Sequence, residues 1–204
     1  PCGSFGDIST FSFYPNKHIT CGEGGMVLTD DAALAERSQL ARNLFFSPKK
    51  RYVHEELGYN FRMTNMQAAL GFAQLEKLRD IISRRKAIRE QYISLLGNVD
   101  GVVMQHDQAG ADIVMWAFAV RLDPKAFTIG RDAVMAAMTE AGIETRPGFY
   151  SGSMLPYFSS HSIASCNYLI SESLSRQVLS LPSHLNLTDS QIERIASTLL
   201  SCRN

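Results

Sequence analysis

The sequence has no excess of charge of either sign, because its 204 residues include 20 lysines and arginines and 20 aspartates and glutamates. Without net charge, nothing attracts the whole molecule to nucleic acid or to an anionic membrane. The sequence also lacks an apolar run of the roughly 20 residues that a membrane helix needs, and it lacks the start typical of a signal peptide. These absences predict a cytoplasmic protein that binds neither nucleic acid nor a membrane.

Paired metal ligands are missing too. The four cysteines form no C-x-x-C pair, and the five histidines are scattered, with no H-E-x-x-H motif. The sequence contains neither a G-x-x-x-x-G-K phosphate loop nor a G-x-S-x-G nucleophile turn. We therefore expect no bound metal. Internal repeats and low-complexity segments are absent as well, so any domain boundary runs through a structured element.

The middle of the chain has the spacing of a helix. Thr64-Asn65-Met66-Gln67 fits a capping box, apolar residues then recur at helical spacing as far as Leu96, and Gly97 is a typical helix stop. The pattern predicts one long helix from Thr64 to Leu96. A helix of this length in a short chain usually crosses between two packing units, and we place the domain boundary within it, giving residues 1–88 and residues 89–204.

Strands and helices alternate on both sides of this helix, which indicates an α/β architecture. Before it, the pattern predicts a strand from Ile8 to Phe13, a strand from Gly25 to Thr29 and a helix capped by Asp30. After it, the pattern predicts a strand from Val114 to Leu122, a helix from about Arg131 to Gly142, a strand from Leu179 to Leu181, and a final helix opened by the capping box Thr188-Asp189-Ser190-Gln191.

The most informative segment reads F-S-F-Y-P-N-K-H-I-T-C-G-E-G-G, with Lys17 between aromatic residues and glycines. A lysine that forms a Schiff base must lose its proton near neutral pH, and apolar surroundings lower the pKa of a lysine. Glycines let the backbone fold closely beside a flat ligand, and the Ser12 hydroxyl suits a phosphate oxygen. On composition alone, a surface turn with a solvated lysine is the more frequent case.

The string S-F-Y-P-N-K-H-I-T-C-G-E-G-G-M-V resembles the cofactor-lysine signature of the DegT/DnrJ/EryC1/StrS family, the sugar aminotransferases of fold type I. The similarity continues through G-Y-N-F-R-M-T-N-M-Q-A-A-L from Gly58, G-I-E-T-R-P from Gly142, and Leu181-Pro182. It implies the C-terminal part of an α/β enzyme that depends on pyridoxal 5'-phosphate. Residues 1–88 then belong to the large cofactor-binding domain and residues 89–204 form the small domain.

The resemblance also implies roles for particular residues. Lys17 matches the lysine that holds the cofactor covalently and moves the proton, and Ser12 matches a phosphate-binding serine. Asn60 and Arg62 match a loop that reaches across a homodimer to the partner's cofactor and substrate, so the active site is shared. The alternative to these functional roles is a structural one: Asn60 would be a turn residue before a helix, and Arg62 would form a surface salt bridge. Glu23 fits turn chemistry as well as site chemistry.

The resemblance implies glutamate as the amino donor and a nucleotide-linked 4-keto-6-deoxy sugar as the acceptor. The sequence around Gly58 and Thr145 resembles family members that aminate a GDP-linked sugar. Two departures stand out. Ser151-Gly152-Ser153 replaces the Pro-x-His that the family often has near the sugar. The family segment that precedes the lysine is also absent, including the ring-stacking aromatic and the Asp for the pyridine nitrogen. We therefore expect a fragment that is inactive in isolation.

Two other functions fit parts of the sequence. The chain could be a non-catalytic remnant that only dimerises or packs against another chain. It could also bind nucleic acid through basic residues of the predicted long helix, namely Lys77, Arg79, Arg84, Arg85, Lys86 and Arg89. Interleaved acidic residues and the lack of regularly spaced aromatics favour a solvated helix face over a nucleic-acid interface.

Overall fold

The structure, a computed structural model, describes residues 1–50, 52–158 and 167–204. The chain forms two compact units, Pro1–Asp80 and Ile81–Asn204, and the division between them falls inside a helix. The predicted boundary between residues 88 and 89 refers to the domains of a larger enzyme and stays a prediction. Cys166 lies outside the described residues.

The first unit begins with a β-hairpin. Its elements are β1 (Ser9–Ser12), β2 (Gly25–Leu28), α1 (Ala32–Arg42) and α2 (Asn65–Leu75). β1 and β2 pair antiparallel, with Ser12 opposite Gly25, so residues 13–24 form the loop of the hairpin. The two predicted strands are thus confirmed in place, and the lysine segment is the connection between them.

The cap of α1 differs from the prediction by one residue. Asp31, not Asp30, accepts hydrogen bonds from the backbone N–H groups of Ala33 and Leu34, at 2.7 and 3.0 Å. Asp31 has the extended backbone of an N-cap residue, with φ −84° and ψ 117°. Two adjacent aspartates satisfy the sequence rule equally, and only the backbone conformation selects between them.

Apolar side chains in the first unit are mostly exposed. Among its described residues, only Cys21 and Phe45 are buried apolar side chains. The hairpin and α2 expose Phe11, Met26, Val27, Leu28, Met66, Leu70, Phe72 and Leu75. Large apolar side chains exposed in this number mark a binding surface or an aggregation hazard.

The predicted long helix is wrong in one respect, because two helices replace it. α2 ends at Leu75 and α3 (Leu78–Leu96) begins three residues later. At the break, the Lys77 N–H bonds to the carbonyl of Gln74 at 3.0 Å, which is the tighter spacing of a 3-10 turn. The apolar spacing continues across this turn, and for that reason the sequence pattern does not reveal it. The predicted capping box of Thr64 and Gln67 is confirmed.

The second unit contains the rest of α3 and a four-stranded sheet. Its other elements are β3 (Val102–Met104), β4 (Phe118–Leu122), α4 (Arg131–Glu140), β5 (Arg146–Pro147), α5 (Leu169–Gln177), β6 (Val178–Leu181) and α6 (Asp189–Ser201). The strand order is β3-β4-β6-β5 with antiparallel neighbours. Mixed helices and strands agree with the predicted α/β class.

The core of the second unit lies between this sheet and its helices. Its fully buried members include Tyr92 and Leu96 of α3, Leu179 of β6, and Ile192 and Leu199 of α6. Helix α4, strand β6 and helix α6 lie where the sequence predicts them, and the capping box of Thr188 and Gln191 is confirmed. A folded core of this size distinguishes the second unit from the first.

The predicted strand from Val114 to Leu122 is too long. β4 begins at Phe118, which pairs with Leu181, and residues 114–117 are outside every described strand. A strand extends only as far as a neighbour supplies hydrogen bonds, and no strand pairing is recorded for residues 114–117. The sequence pattern does not predict β3, β5 or α5.

Two basic residues of α3, Arg84 and Arg85, face inward more than the predicted solvated face suggests. Arg85 is buried and donates to the carbonyls of Trp116 and Ser183 at 3.0 and 2.9 Å. Burial lowers the pKa of Arg85. Arg84 donates to the carbonyl of Leu185 at 3.3 Å. These cations hold the fold together, which leaves them poorly placed to bind a nucleic-acid backbone.

Within the part of the chain that the structure describes, no helix combines the length and the apolar character that crossing a membrane requires.

Candidate active site

Lys17 lies in the loop of the β1–β2 hairpin. The loop starts with a turn in which the Lys17 N–H bonds to the Tyr14 carbonyl at 3.0 Å, and Pro15 occupies the position of a β-turn that suits its fixed φ. At the base of the loop, the Phe13 N–H bonds to the Gly24 carbonyl at 2.9 Å. The hairpin therefore holds a half-buried lysine near the end of two paired strands.

Close contacts require glycine at the end of the loop, Gly24, and at the first residue of β2, Gly25. A Cβ on Gly24 would lie 2.5 Å from the Cys21 sulfur, and a Cβ on Gly25 would lie 2.8 Å from the Phe11 carbonyl oxygen. Gly22 has φ +83°, in the left-handed region that other residues rarely adopt. The sequence predicts that these glycines let the backbone lie close to a flat ligand. In the structure, Gly24 and Gly25 are required for the packing of the hairpin itself.

Ser12 is the last residue of β1, and its side chain is exposed. The hydroxyl oxygen accepts from the Tyr14 N–H at 3.3 Å. Because a serine hydroxyl can accept and donate at once, the proton of Ser12 remains available to an anionic oxygen. Ser12 and Lys17 thus share one hairpin, and their roles toward a cofactor stay predictions.

The backbone of Glu23, rather than its carboxylate, makes the described contacts of this residue. The Glu23 carbonyl accepts from the Gln67 side-chain amide at 3.0 Å and from the Cys21 sulfur at 3.3 Å. This is turn chemistry, one of the two interpretations that the sequence left open. Gln67 lies in the first turn of α2, so the loop of Lys17 is bonded to the helix that follows the Asn60 segment.

Asn60 and Arg62 precede α2 and lie beside the end of α1. The backbones of Asn43 and Asn60 form an antiparallel bridge, and the Arg62 guanidinium donates to the Asn43 side-chain oxygen at 2.7 Å. Asn60 and Arg62 are both exposed. The alternative of a surface salt bridge for Arg62 does not describe this contact, because its partner is a neutral amide. Nothing in the sequence pattern indicated Asn43.

Backbone strain accompanies this arrangement. Leu44 and Phe45 both have positive φ, at 62° and 48°, which non-glycine residues adopt at a cost of about 1–3 kcal/mol each. The Leu44 N–H bonds to the Tyr59 carbonyl at 3.1 Å. Gly58 packs against this reversal so closely that a Cβ would lie 2.6 Å from the Leu44 carbonyl carbon. The conformation that presents Asn43 is therefore fixed by its surroundings.

In the second unit, a network of hydroxyl groups occupies the segment where the sequence departs from the family pattern. The Ser151 hydroxyl lies 2.9 Å from the hydroxyls of both Ser153 and Ser171. The Ser153 hydroxyl donates to the Glu172 carboxylate at 2.7 Å. The Ser151 N–H bonds to the buried Ser175 hydroxyl at 2.7 Å. The serines that replace the expected histidine are thus bonded to α5.

Comparison with known proteins agrees with the residue patterns. Residues 1–200 match the DegT/DnrJ/EryC1/StrS aminotransferase family, and the chain belongs to that family. Members of the family depend on pyridoxal phosphate. The chain is 38% identical to the GDP-perosamine synthase of Caulobacter vibrioides, over 97% of this chain and 53% of that protein. It is 36% identical to the GDP-perosamine synthase of Escherichia coli O157:H7, over 97% of this chain and 52% of that protein.

The fold has relatives among solved structures as well. The crystal structure of DesI in the presence of its TDP-sugar product superposes with a TM-score of 0.88 at 30% identity, covering 99% of this chain and 51% of DesI. The similarity confirms that the fold is part of a fold-type I aminotransferase. The chain spans about half the length of the curated relatives that it matches.

Proposed function

We propose that this chain carries the cofactor lysine of an aminotransferase that transfers an amino group from glutamate to a nucleotide-linked 4-keto-6-deoxy sugar. The observation that carries the proposal is the place of Lys17, in a hairpin loop with a glycine-dependent shape, within a chain that matches the aminotransferase family over residues 1–200. The similarity to two GDP-perosamine synthases favours a GDP-linked sugar. The proposed location, the cytoplasm, rests on the sequence composition only.

The residues of the hairpin fit pyridoxal phosphate. Lys17 offers an amine for the covalent link, and the Ser12 hydroxyl keeps a proton for the phosphate because its oxygen accepts from Tyr14. Bound pyridoxal phosphate supplies an electron sink for the charge that develops at the reacting carbon.

Lys17 then has two tasks in the proposed reaction. Its Nζ holds the cofactor before the amino donor arrives, and it afterwards takes a proton from the substrate carbon and returns one. A side chain that performs both tasks cannot be replaced without loss of turnover. We expect Lys17→Ala to abolish kcat, rather than to raise KM alone.

Asn60 and Arg62 are proposed to act on the site of a partner subunit in a homodimer. Their exposure leaves both side chains accessible to a second chain, and the Asn43 contact fixes the direction of the Arg62 guanidinium. Arginine suits phosphate groups because its planar donors match their oxygens. We propose that Arg62 binds the sugar nucleotide and that Asn60 contacts the cofactor.

Because the chain spans half of its relatives, we propose that activity needs the other half as well. The test is a chimera in which the segment of the Caulobacter vibrioides synthase that this chain does not match is joined ahead of it. We expect the chimera to transfer the amino group of glutamate to a GDP-linked 4-keto-6-deoxyhexose, and the 204-residue chain alone to be inactive. A folded chimera that binds pyridoxal phosphate without any amino transfer would refute the proposed function.

The proposed shared site has a separate test. Chimeras carrying Lys17→Ala and Asn60→Ala are mixed under conditions that exchange subunits, so that hybrids contain one intact site if the site is shared. We expect activity to return in the mixture, although each variant is inactive alone. Hybrids that form without recovering activity would remove the support for a shared site and leave the role of Lys17 intact.

A further inference from the structure

The loop of Lys17 is tied to α2 at Thr20. The Gln74 side-chain oxygen accepts from the Thr20 N–H at 3.1 Å, and the Gln74 side-chain nitrogen donates to the Thr20 carbonyl at 2.8 Å. The two residues are 54 positions apart in the sequence. A primary amide that bonds to both the N–H and the carbonyl of one residue reproduces the pairing of a neighbouring β-strand. Gln74 therefore supplies to the loop the partner that the hairpin does not.

Thr20 connects this tie to the base of the loop. Its hydroxyl donates to the Phe13 carbonyl at 2.8 Å and accepts from the Gly22 N–H at 2.9 Å. The same Phe13 carbonyl accepts from the Cys21 N–H at 3.1 Å. Fixing Thr20 thus fixes both sides of the loop, and Lys17 lies three positions before it in the sequence. The network is half-buried, which protects its hydrogen bonds from water.

Gln67 makes a second tie from the same helix. Its side-chain nitrogen donates to the Glu23 carbonyl at 3.0 Å. Gln67 and Gln74 are seven residues apart, so they lie two turns from each other on one face of α2. Gln67 also closes the capping box with Thr64, and its replacement would disturb the start of the helix. Gln74 has no part in that box and gives the cleaner test.

We propose that Gln74 is a positioning residue for Lys17: it fixes the loop through Thr20, so that α2 sets where the lysine amine lies. The tie itself follows from the contacts of the first unit, whereas its catalytic consequence rests on the proposed function. The same helix follows the Asn60 segment directly, so one element sets the place of residues from both parts of the proposed site.

The first test uses the 204-residue chain. Gln74→Met removes both bonds and keeps the length of the side chain, and Gln39→Met, at an exposed position of α1 in the same unit, is the matched control. Amide exchange at Thr20 and Gly22 should quicken about tenfold in Gln74→Met, while the amides of Ala68–Ala73 stay as they are. Gln39→Met should change neither.

Acetylation with a limiting amount of a small neutral reagent reports on Lys17 itself. Half-buried Lys17 should react more slowly than exposed Lys49 in the parent chain. In Gln74→Met, the ratio of Lys17 to Lys49 labelling should rise about threefold, because a released loop exposes the amine. If Gln74→Met unfolds the first unit, the measurement is repeated with Gln74→Glu, which keeps the acceptor for the Thr20 N–H. The ratio of Lys17 to Lys49 labelling should again rise.

The catalytic consequence is measured in the chimera. Gln74→Met should lower kcat about tenfold and leave KM for the sugar nucleotide within about twofold, because the lysine is displaced while the binding residues are not. An unchanged labelling ratio, or an unchanged kcat, would overturn the proposal. So would faster exchange throughout the first unit in both Gln74→Met and Gln74→Glu, since that means a general loss of stability. An inactive parent chimera counts against the proposed function alone, and the exchange and labelling results then decide the role of Gln74.

Discussion

The Arg62 guanidinium donates to the side-chain oxygen of Asn43 across 2.7 Å, immediately beside the backbone bridge between Asn43 and Asn60. One residue at the end of α1 therefore holds both residues that we propose act on a partner's site. A guanidinium has five N–H donors in a fixed plane, so fixing one of them directs the others.

Replacing Asn43 should consequently impair substrate binding more than folding. In the chimera, Asn43→Ala should raise KM for the sugar nucleotide about tenfold, because Arg62 must be ordered when the substrate binds. Asn43→Asp keeps the acceptor oxygen, and its KM for the sugar nucleotide should stay close to that of the parent chimera. Glu56→Gln weakens the exposed Arg37–Glu56 pair of the same unit, at 2.7 Å, and serves as the control with an unchanged KM. A parental KM in Asn43→Ala would contradict the role of the contact.

Tyr92 should give the second unit an alkaline limit of stability. Its hydroxyl is buried and donates to the Pro182 carbonyl at 2.7 Å, and burial raises the pKa of the phenol. Above pH 10 the phenol of the unfolded chain ionises while that of the folded chain stays protonated. The contribution of Tyr92 is therefore complete below about pH 10 and falls by about 1.4 kcal/mol per pH unit above it.

Tyr92→Phe tests this directly by urea unfolding between pH 8 and pH 11. At pH 8 the variant should be less stable by about 1 kcal/mol, because the Pro182 carbonyl loses its donor. Towards pH 11 the two free energies of unfolding should converge, since the variant has no phenol to ionise. Two parallel curves would show that this phenol keeps its ordinary pKa in the folded chain.

The capping box of α6 should contribute measurably to the stability of the second unit. The Thr188 hydroxyl accepts from the Gln191 N–H at 3.3 Å, and the Gln191 side chain accepts from the Thr188 N–H at 2.9 Å. Thr188→Ala should lower the free energy of unfolding by about 1 kcal/mol. Thr198→Ala, in the last turn of the same helix, should be close to neutral, because its hydroxyl bonds only to the preceding turn. Equal losses in both variants would mean that the box adds nothing.

The exposed hairpin predicts association of the isolated chain. Met26 and Leu28 lie on one face of β2, and each is nearly half exposed. Sedimentation velocity of the 204-residue chain should show concentration-dependent oligomers that decrease when both residues are changed to Thr, because less apolar surface is left to bury. Ile129→Thr, at an exposed site of the second unit, is the control. A chain that stays monomeric at every concentration would contradict this expectation.

The sequence predicted those elements whose signals are local. The capping boxes at Thr64 and Thr188 are defined by side chains three residues apart, and both helices start where the boxes place them. The hairpin strands follow from apolar runs bounded by glycine. The sequence does not predict the turn at Lys77, because the apolar spacing does not change there. It does not predict β5 either, because Arg146 and Pro147 form a strand only through their pairing with β6.

The residues proposed for the site divide in the same way. Lys17, Ser12, Asn60 and Arg62 were predicted because each belongs to a contiguous motif. The sequence does not indicate Asn43 and Gln74, since each makes its contact with a residue far away in the sequence. Glutamine and asparagine on a helix give no periodic signal, and only the folded chain shows which backbone group they reach.

The assignment of Lys17 as the cofactor lysine is tested most directly by trapping the covalent link. The chimera is loaded with pyridoxal 5'-phosphate, reduced with borohydride and digested, and the modified peptide is identified by mass spectrometry. We predict that the label lies on Lys17, within the peptide that contains Tyr14-Pro15-Asn16. A label on Lys49 or Lys77 of this chain, or on a lysine of the joined segment, with Lys17 unmodified, would contradict the assignment and with it the interpretation of the whole hairpin.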